Sequence, residues 1–283
     1  MAATLIDGKA LAAKVREEVA AEVAALGHVG IATILVGDDP ASHIYIDLKH
    51  KAAEAAGIEA RDLRLPAATS EEDVLALVAE LNADDAVDGI LVQLPLPAPL
   101  DESRVIEAID PSKDVDGIHP WNAGRLYLGR PTLVPATPLG VMRMLAEYEI
   151  EIEGAHAVVV GRSAIVGKPV AQLLLLANAT VTVCHSRTRD LARQTLDADI
   201  LVAAVGQPHL IAADMVKPGS AVIDVGLTRT DEGLRGDVDP AAAERAAYLT
   251  PVPGGVGPMT IAMVLQNTAS AARARRAAIA KAL

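Results

Sequence analysis

A chain of 283 residues with a formal charge of −12, 51% of it hydrophobic and only 2% aromatic, has room for roughly two domains of about 150 residues each, with aliphatic cores. The acidic balance argues against a nucleic-acid partner, which calls for a basic face, and no apolar run approaches the ~20 residues of a membrane span. No basic patch followed by an apolar segment marks a secretory signal, and the one cysteine, Cys184, cannot form an internal disulfide, so a reducing, cytoplasmic setting is expected.

Short apolar runs alternate with helical patterns, which predicts an α/β protein with parallel sheet. Asp7 and Gly8 precede a helix with Leu11, Val15, Val19, Val23 and Leu26 on one stripe, ended by Gly27. Residues 31–36 read as a buried strand and residues 42–57 as the next helix. Tyr45 and Lys49 are four apart there and share a face, beside a stripe of Ile44, Leu48 and Ala52 expected to face the core. The pair can be functional, or simply a snorkelling lysine beside an amphipathic tyrosine. A strand at 59–65 and a helix at 70–81, capped by Thr69 or Ser70, follow. Residues 90–92 form a buried strand, and Gln93 stands at its carboxyl end, where open α/β sheets bind ligands. The segment 110–120 holds several acids, a lysine and a histidine. Mixed charge without regular ligand spacing disfavours a metal, and a carboxylate in so constrained a loop suits a ligand's N–H groups better.

Residues 135–140 read as a hinge and a domain boundary, followed by a helix ending near Tyr148. The string Ala157-Val-Val-Val-Gly161-Arg-Ser163-Ala-Ile-Val-Gly167 is a buried strand, a glycine turn and a helix start. It matches the dinucleotide fingerprint only in part, and an ordinary βα turn would read the same way. The next strand, 180–184, ends in His185-Ser186-Arg187-Thr188 with no acid to hold a ribose 2′-OH. Hydroxyl and guanidinium groups, with Arg162 in the turn, suit a 2′-phosphate and hence NADP over NAD. Strands at 200–203 and 221–224 follow. Residues 250–260, rich in glycine and proline, form either a close-approach site or a tight connector, leading into a helix from about Met259 to Ala280.

Six segments, in order along the chain, carry a resemblance: Ser42-His-Ile-Tyr-Ile-Asp-Leu-Lys49, Asp88-Gly-Ile-Leu-Val-Gln-Leu-Pro-Leu-Pro97, Lys113-Asp-Val-Asp-Gly117, Gly161-Arg-Ser-Ala-Ile-Val-Gly-Lys-Pro169, Cys184-His-Ser-Arg-Thr188 and Pro251-Val-Pro-Gly-Gly-Val-Gly-Pro-Met-Thr260. The chain resembles the bifunctional methylenetetrahydrofolate dehydrogenase/methenyltetrahydrofolate cyclohydrolase family. The resemblance implies NADP-dependent oxidation of 5,10-methylenetetrahydrofolate, then hydrolysis of the methenyl product to 10-formyltetrahydrofolate, by a metal-free homodimer. A monofunctional dehydrogenase is the alternative. The implied architecture is an N-terminal α/β catalytic domain, residues 1–138 with the C-terminal helix 258–283, plus a Rossmann-type NADP-binding domain, 139–257, with a cleft between them.

By motif, the resemblance implies Lys49 as the catalytic lysine, Gln93 as its positioning partner, Tyr45 packed on the folate ring and Asp116 holding the pterin. It implies Gly161, Arg162, Ser163, Ser186, Arg187 and Leu227 at the cofactor, and Pro253, Gly254, Gly255 and Thr260 at the substrate. Two departures are visible: Ala136 where relatives commonly have Cys, and Leu227 where Ile is common. Neither position is expected to carry chemistry.

Overall fold

The computed structural model describes residues 3–282, except the side chains of Pro40, Ala41, Ser42, Ile44, Ile279, Lys281 and Ala282. A two-residue strand β1 (Thr4–Leu5) precedes helix α1 (Gly8–Leu26), whose Leu11, Val15, Val19 and Val23 are buried as their spacing predicts. Then come β2 (Gly30–Val36), α2 (Pro40–Ala55), β3 (Glu59–Leu65), α3 (Glu71–Ala83) and β4 (Gly89–Val92). The hydroxyl of Ser70 caps α3 by accepting the N–H of Asp73, the expected reason for a helix to begin there. Two short helices, α4 (Glu102–Ala108) and α5 (Pro120–Tyr127), lead to α6 (Ala136–Glu147). The second half runs β5 (His156–Val160), α7 (Gly167–Leu176), β6 (Thr180–Cys184), α8 (Leu191–Leu196), β7 (Ile200–Ala203) and β8 (Ala221–Asp224). It closes with β9 (Thr228–Thr230), β10 (Gly233–Arg235), β11 (Tyr248–Leu249) and α9 (Val256–Ala282).

The chain divides into two compact units. One comprises Lys14–Ala136 with the described part of α9 from Ile261 onward. Its sheet is parallel in the order β3-β2-β4, and a short bridge between Ile90 and Asp114 extends it beyond β4. Every residue of β2 and β4 is buried, because helices cover the faces of a parallel sheet. The chain leaves β2 for β3 on one side and later enters β4 on the other, so the switch point lies between β2 and β4. Helix α9 is tied into this unit by Asn267, whose amide donates to the carbonyls of Val115 (2.7 Å) and Val134 (2.9 Å). Arg275 adds an ion pair with buried Asp88 at 2.9 Å.

The other unit holds the described residues up to Ala13 and Thr137–Thr260. Its six strands are parallel in the order β1-β11-β8-β7-β5-β6, with the switch point between β5 and β7. The aliphatic core under it draws on Val158, Val160, Leu201, Val222 and Ile211.

Four sequence expectations change. Residues 3–13 do not join the unit that follows them. Thr4 and Leu5 pair with Tyr248 and Leu249, and so small a strand leaves no periodic pattern to read. The hinge expected at 135–140 is mostly helix, because α6 takes Pro138 into its first turn, where a proline's missing N–H leaves no bond unmade. For the same reason α9 starts at Val256, ahead of Pro258, rather than near Met259. On α2 the buried residues are Ile46, Lys49 and Ala53, whereas Leu48 is 50% exposed, so the core stripe sits one position round from the one expected. Ile44, part of the expected stripe, has its side chain outside the description.

Candidate active site

In the smaller sheet's unit, three elements bring the predicted chemistry together. Helix α2 follows β2 and carries Tyr45 and Lys49 one turn apart; the Lys49 ammonium nitrogen lies 4.8 Å from the centre of the Tyr45 ring. Gln93 follows β4 immediately. Its backbone N–H still reaches Ile34 of β2 at 2.9 Å, which fixes it at the sheet's switch point. Lys49 Nζ donates to Gln93 Oε1 at 3.2 Å, and the Gln93 amide donates in turn to the Leu94 carbonyl at 2.8 Å. That second bond leaves the oxygen, not the nitrogen, facing the lysine.

Asp116 arrives on the segment that extends the sheet beyond β4. Gly117 turns the chain there with φ at +67°, and a Cβ on it would stand 2.3 Å from the Val134 carbonyl carbon, so only glycine fits. Upstream, Lys113 is buried with Nζ donating to the carbonyls of Leu81, Asn82 and Asp84 at 2.8–3.0 Å; three acceptors engage all three ammonium protons. Asp114 accepts from the His119 N–H and the Asn122 amide, each at 2.8 Å. Lys113 and Asp114 thus hold the segment, while Asp116 is left for the pocket.

Charge in this pocket is tuned by burial. Lys49 is 6% exposed, and desolvation lowers its pKa from the ordinary lysine value, with the nearby Asp116 charge pulling the other way. Desolvation also raises the Asp116 carboxyl; Lys49 opposes that shift and Asp114 adds to it. Among the described residues no group of three or more His, Cys, Asp or Glu is placed to hold a metal ion.

The remaining predicted residues lie in the other unit. Gly161 ends β5 at the switch point, and its N–H donates to the Cys184 carbonyl of β6 at 2.9 Å. The turn is tight: a Cβ on Gly161 would stand 2.2 Å from the Ala204 carbonyl oxygen, and one on Gly167 would stand 2.3 Å from the Gly161 oxygen. Ser163 Oγ accepts the N–H groups of Val166 and Gly167, each at 3.2 Å. Two of the amides at the start of α7 are therefore engaged by the chain itself. Arg162, Ser186 and Arg187 are exposed, and among the described residues neither arginine makes an ion pair. Leu227, 53% exposed, follows β8 beyond Gly226. Pro253, Gly254 and Gly255 form the link from β11 to α9, and the Thr260 hydroxyl lies 2.9 Å from that of Thr137. A turn without room for Cβ atoms, with exposed Arg162 in it and exposed Arg187 shortly after the neighbouring strand β6, fits a phosphate-bearing dinucleotide.

Three residues tied closely to these sites escaped the sequence reading. Asn267 looks like one more polar position on a long helix. Asp224 and Asp237 are fully buried and accept six backbone N–H groups between them. Their only sequence signal is an acid within two residues of a glycine, in Asp224-Val-Gly226 and Gly236-Asp237-Val238.

A dinucleotide-type sheet in one unit and a buried lysine pocket in the other define an NAD(P)-linked two-unit enzyme of the α/β class. Residues 6–116 match the tetrahydrofolate dehydrogenase/cyclohydrolase catalytic domain, and residues 135–276 match the NAD(P)-binding domain of the same name. The chain belongs to the tetrahydrofolate dehydrogenase/cyclohydrolase family. It is 59% identical over 279 residues to the bifunctional protein FolD of Acidiphilium cryptum, covering 98% of this chain and 100% of that one. Its structure is similar to the bifunctional FolD methylenetetrahydrofolate dehydrogenase/cyclohydrolase of Campylobacter jejuni, with a TM-score of 0.95 and 49% identity, covering 97% and 100% of the two chains. A Trypanosoma brucei methylenetetrahydrofolate dehydrogenase-cyclohydrolase complexed with NADP and inhibitor gives a TM-score of 0.93 at 41% identity, covering 98% and 99%.

Proposed function

We propose that this chain oxidises 5,10-methylenetetrahydrofolate with NADP and hydrolyses the 5,10-methenyl product to 10-formyltetrahydrofolate. The single observation that carries the reading is Lys49: buried, held on Gln93, with its pKa lowered, in a family whose relatives carry both activities in their names.

The bound nicotinamide supplies the hydride acceptor for the first step. What that step asks of the protein is alignment, because the neighbouring folate nitrogen pushes the hydride out and no side chain need take a proton. Asp116 suits this task, since a carboxylate accepts paired hydrogen bonds from the pterin N–H and amino groups. Tyr45 offers a flat apolar surface for the ring.

Hydrolysis needs proton movement. Water adds to the methenyl carbon and gives up one proton as the C–O bond forms; the C–N5 bond then breaks as N5 takes a proton and the carbinol O–H loses its own to solvent, leaving the formyl C=O with one proton released overall. A neutral Lys49 can receive the first proton and return the second. Gln93 orients the amine without adding negative charge, which would push its pKa back up.

NADP rather than NAD is the finer part of the proposal. Arg162, Ser186 and Arg187 can bind a 2′-phosphate, and the residues directly after β6 include no acid to bind a free 2′-hydroxyl. Initial rates with each cofactor test it. Methylenetetrahydrofolate should reduce NADP far faster than NAD, and Arg162→Ala should raise KM for NADP about tenfold while leaving NAD use unchanged. Equal damage with both cofactors would make Arg162 structural, and no reduction of either would remove the dehydrogenase.

A further inference from the structure

The chemistry just described leaves two buried carboxylates without a task. Asp224 closes β8, and Asp237 follows β10. Asp224 Oδ1 accepts the N–H groups of Gly226 (3.0 Å) and Asp237 (2.9 Å), and its Oδ2 accepts that of Val238 (3.0 Å). Asp237 Oδ2 accepts from Val205 (2.6 Å) and Gly206 (3.1 Å), and its Oδ1 from Gln207 (2.8 Å). The Asp224 N–H donates to Thr250 Oγ1 at 2.7 Å, and that hydroxyl faces the Asp224 carbonyl at 3.3 Å.

Local sequence has been fitted around this pair. A Cβ on Gly226 would stand 2.3 Å from Asp237 Cγ, and one on Gly236 would stand 1.9 Å from Asp224 Oδ2. Burying carboxylates is unfavourable, and packed apolar residues of similar volume often hold a fold as well or better. Apolar residues, however, do not aim backbone amides. Directional acceptors do, and the segments aimed here are the ones at the carboxyl edge of the sheet. Asp237 holds 205–207, next to Ala204, whose carbonyl lies against the Gly161 turn. Asp224 holds Gly226, which leads to Leu227, and it draws in the Asp237–Val238 backbone, so that the two carboxylates are set together.

We infer that Asp224 and Asp237 are positioning residues for the nicotinamide dinucleotide, setting through backbone amides the two loops, 205–207 and 226–227, that receive it. Their acceptor oxygens are already engaged by the chain, so they act through the backbone and not on the cofactor. The inference rests on the proposed dehydrogenase reading, and the test separates the two.

Asp237→Asn and Asp224→Asn put an amide N–H₂ against backbone N–H groups. Each purified full-length variant is titrated with NADP for direct affinity and assayed for dehydrogenation. In the same sample, cofactor-free hydrolysis of methenyltetrahydrofolate is followed. The expected result is NADP affinity weakened about tenfold or more, with a matching rise in KM, while hydrolysis stays within about twofold of wild type. Parallel loss of hydrolysis and cofactor binding would show that the pair only supports the fold, and unchanged affinity would remove it from cofactor positioning; either overturns the inference. If the Asn variants fail to fold, Asp237→Ser, which withdraws the carboxylate from the 205–207 amides, is read by the same outcomes. A wild type that binds NADP without oxidising the folate fails the functional reading alone, and the titration still decides the role of the carboxylates.

Discussion

Lys49 is the residue to which the proposed hydrolysis gives the proton transfers, and its setting explains how a lysine can work as a base. An ammonium loses hydration when buried, and at 6% exposure this one has little water left to keep it charged. Asp116 restores some preference for the charged form, so the pair sets the balance together. The sign of the pH dependence follows. Only the neutral amine accepts a proton from water, so cyclohydrolase kcat should rise with pH through an ionisation below the ordinary lysine value of 10.5. Asp116→Asn removes the opposing charge and should move that rise to lower pH. A rise unmoved in Asp116→Asn would mean that another group titrates. The spacing of Tyr45 and Lys49 was legible in the sequence, because i and i+4 share a helix face whatever the fold. That Lys49 would be buried was not, since the pattern put Leu48 inward, and only packing decides which neighbouring stripe faces the core.

At the scale of elements, both units use the same device. In each, a buried parallel sheet reverses its strand order, and candidate functional residues follow the strands at that point: Gln93 after β4, with α2 rising from β2, and Gly161 after β5. Buried strands were legible as short aliphatic runs, which is why β2, β4, β5, β7 and β8 lie close to where the pattern puts them. The hairpin of β9 and β10 and the two-residue β1 and β11 were not, because elements this short carry no period. Asn267 shows how a distant element shapes the pocket. Its amide bonds to Val115 and Val134 hold the segments on either side of the Gly117 turn, beside Asp116. Asn267→Leu should leave two buried carbonyls unpaired and lower unfolding stability by about 2–4 kcal/mol, measured by urea denaturation. It should also raise KM for the folate substrate. Unchanged stability would mean that the two carbonyls find other partners.

For the whole molecule, a net charge of −12 opposes any anionic ligand, and the proposed cofactor site therefore calls on local cations, Arg162 and Arg187. The family was legible because six chemistry-bearing segments recur in order, each tied to a loop or helix face that the folds of the two units require. The Asp224 and Asp237 knot was not, because its meaning lies in backbone amides brought from three separate loops. In the proposed mechanism hydrolysis belongs to the lysine site of one unit and cofactor binding to the sheet edge of the other. The two activities should therefore separate under a single substitution. The most direct test is the ratio of the two rates in Lys49→Ala, measured on one folded preparation. Hydrolysis of methenyltetrahydrofolate should fall about 100-fold or more, with dehydrogenation within about tenfold of wild type. Equal loss of both activities would contradict the assignment of proton transfer to Lys49.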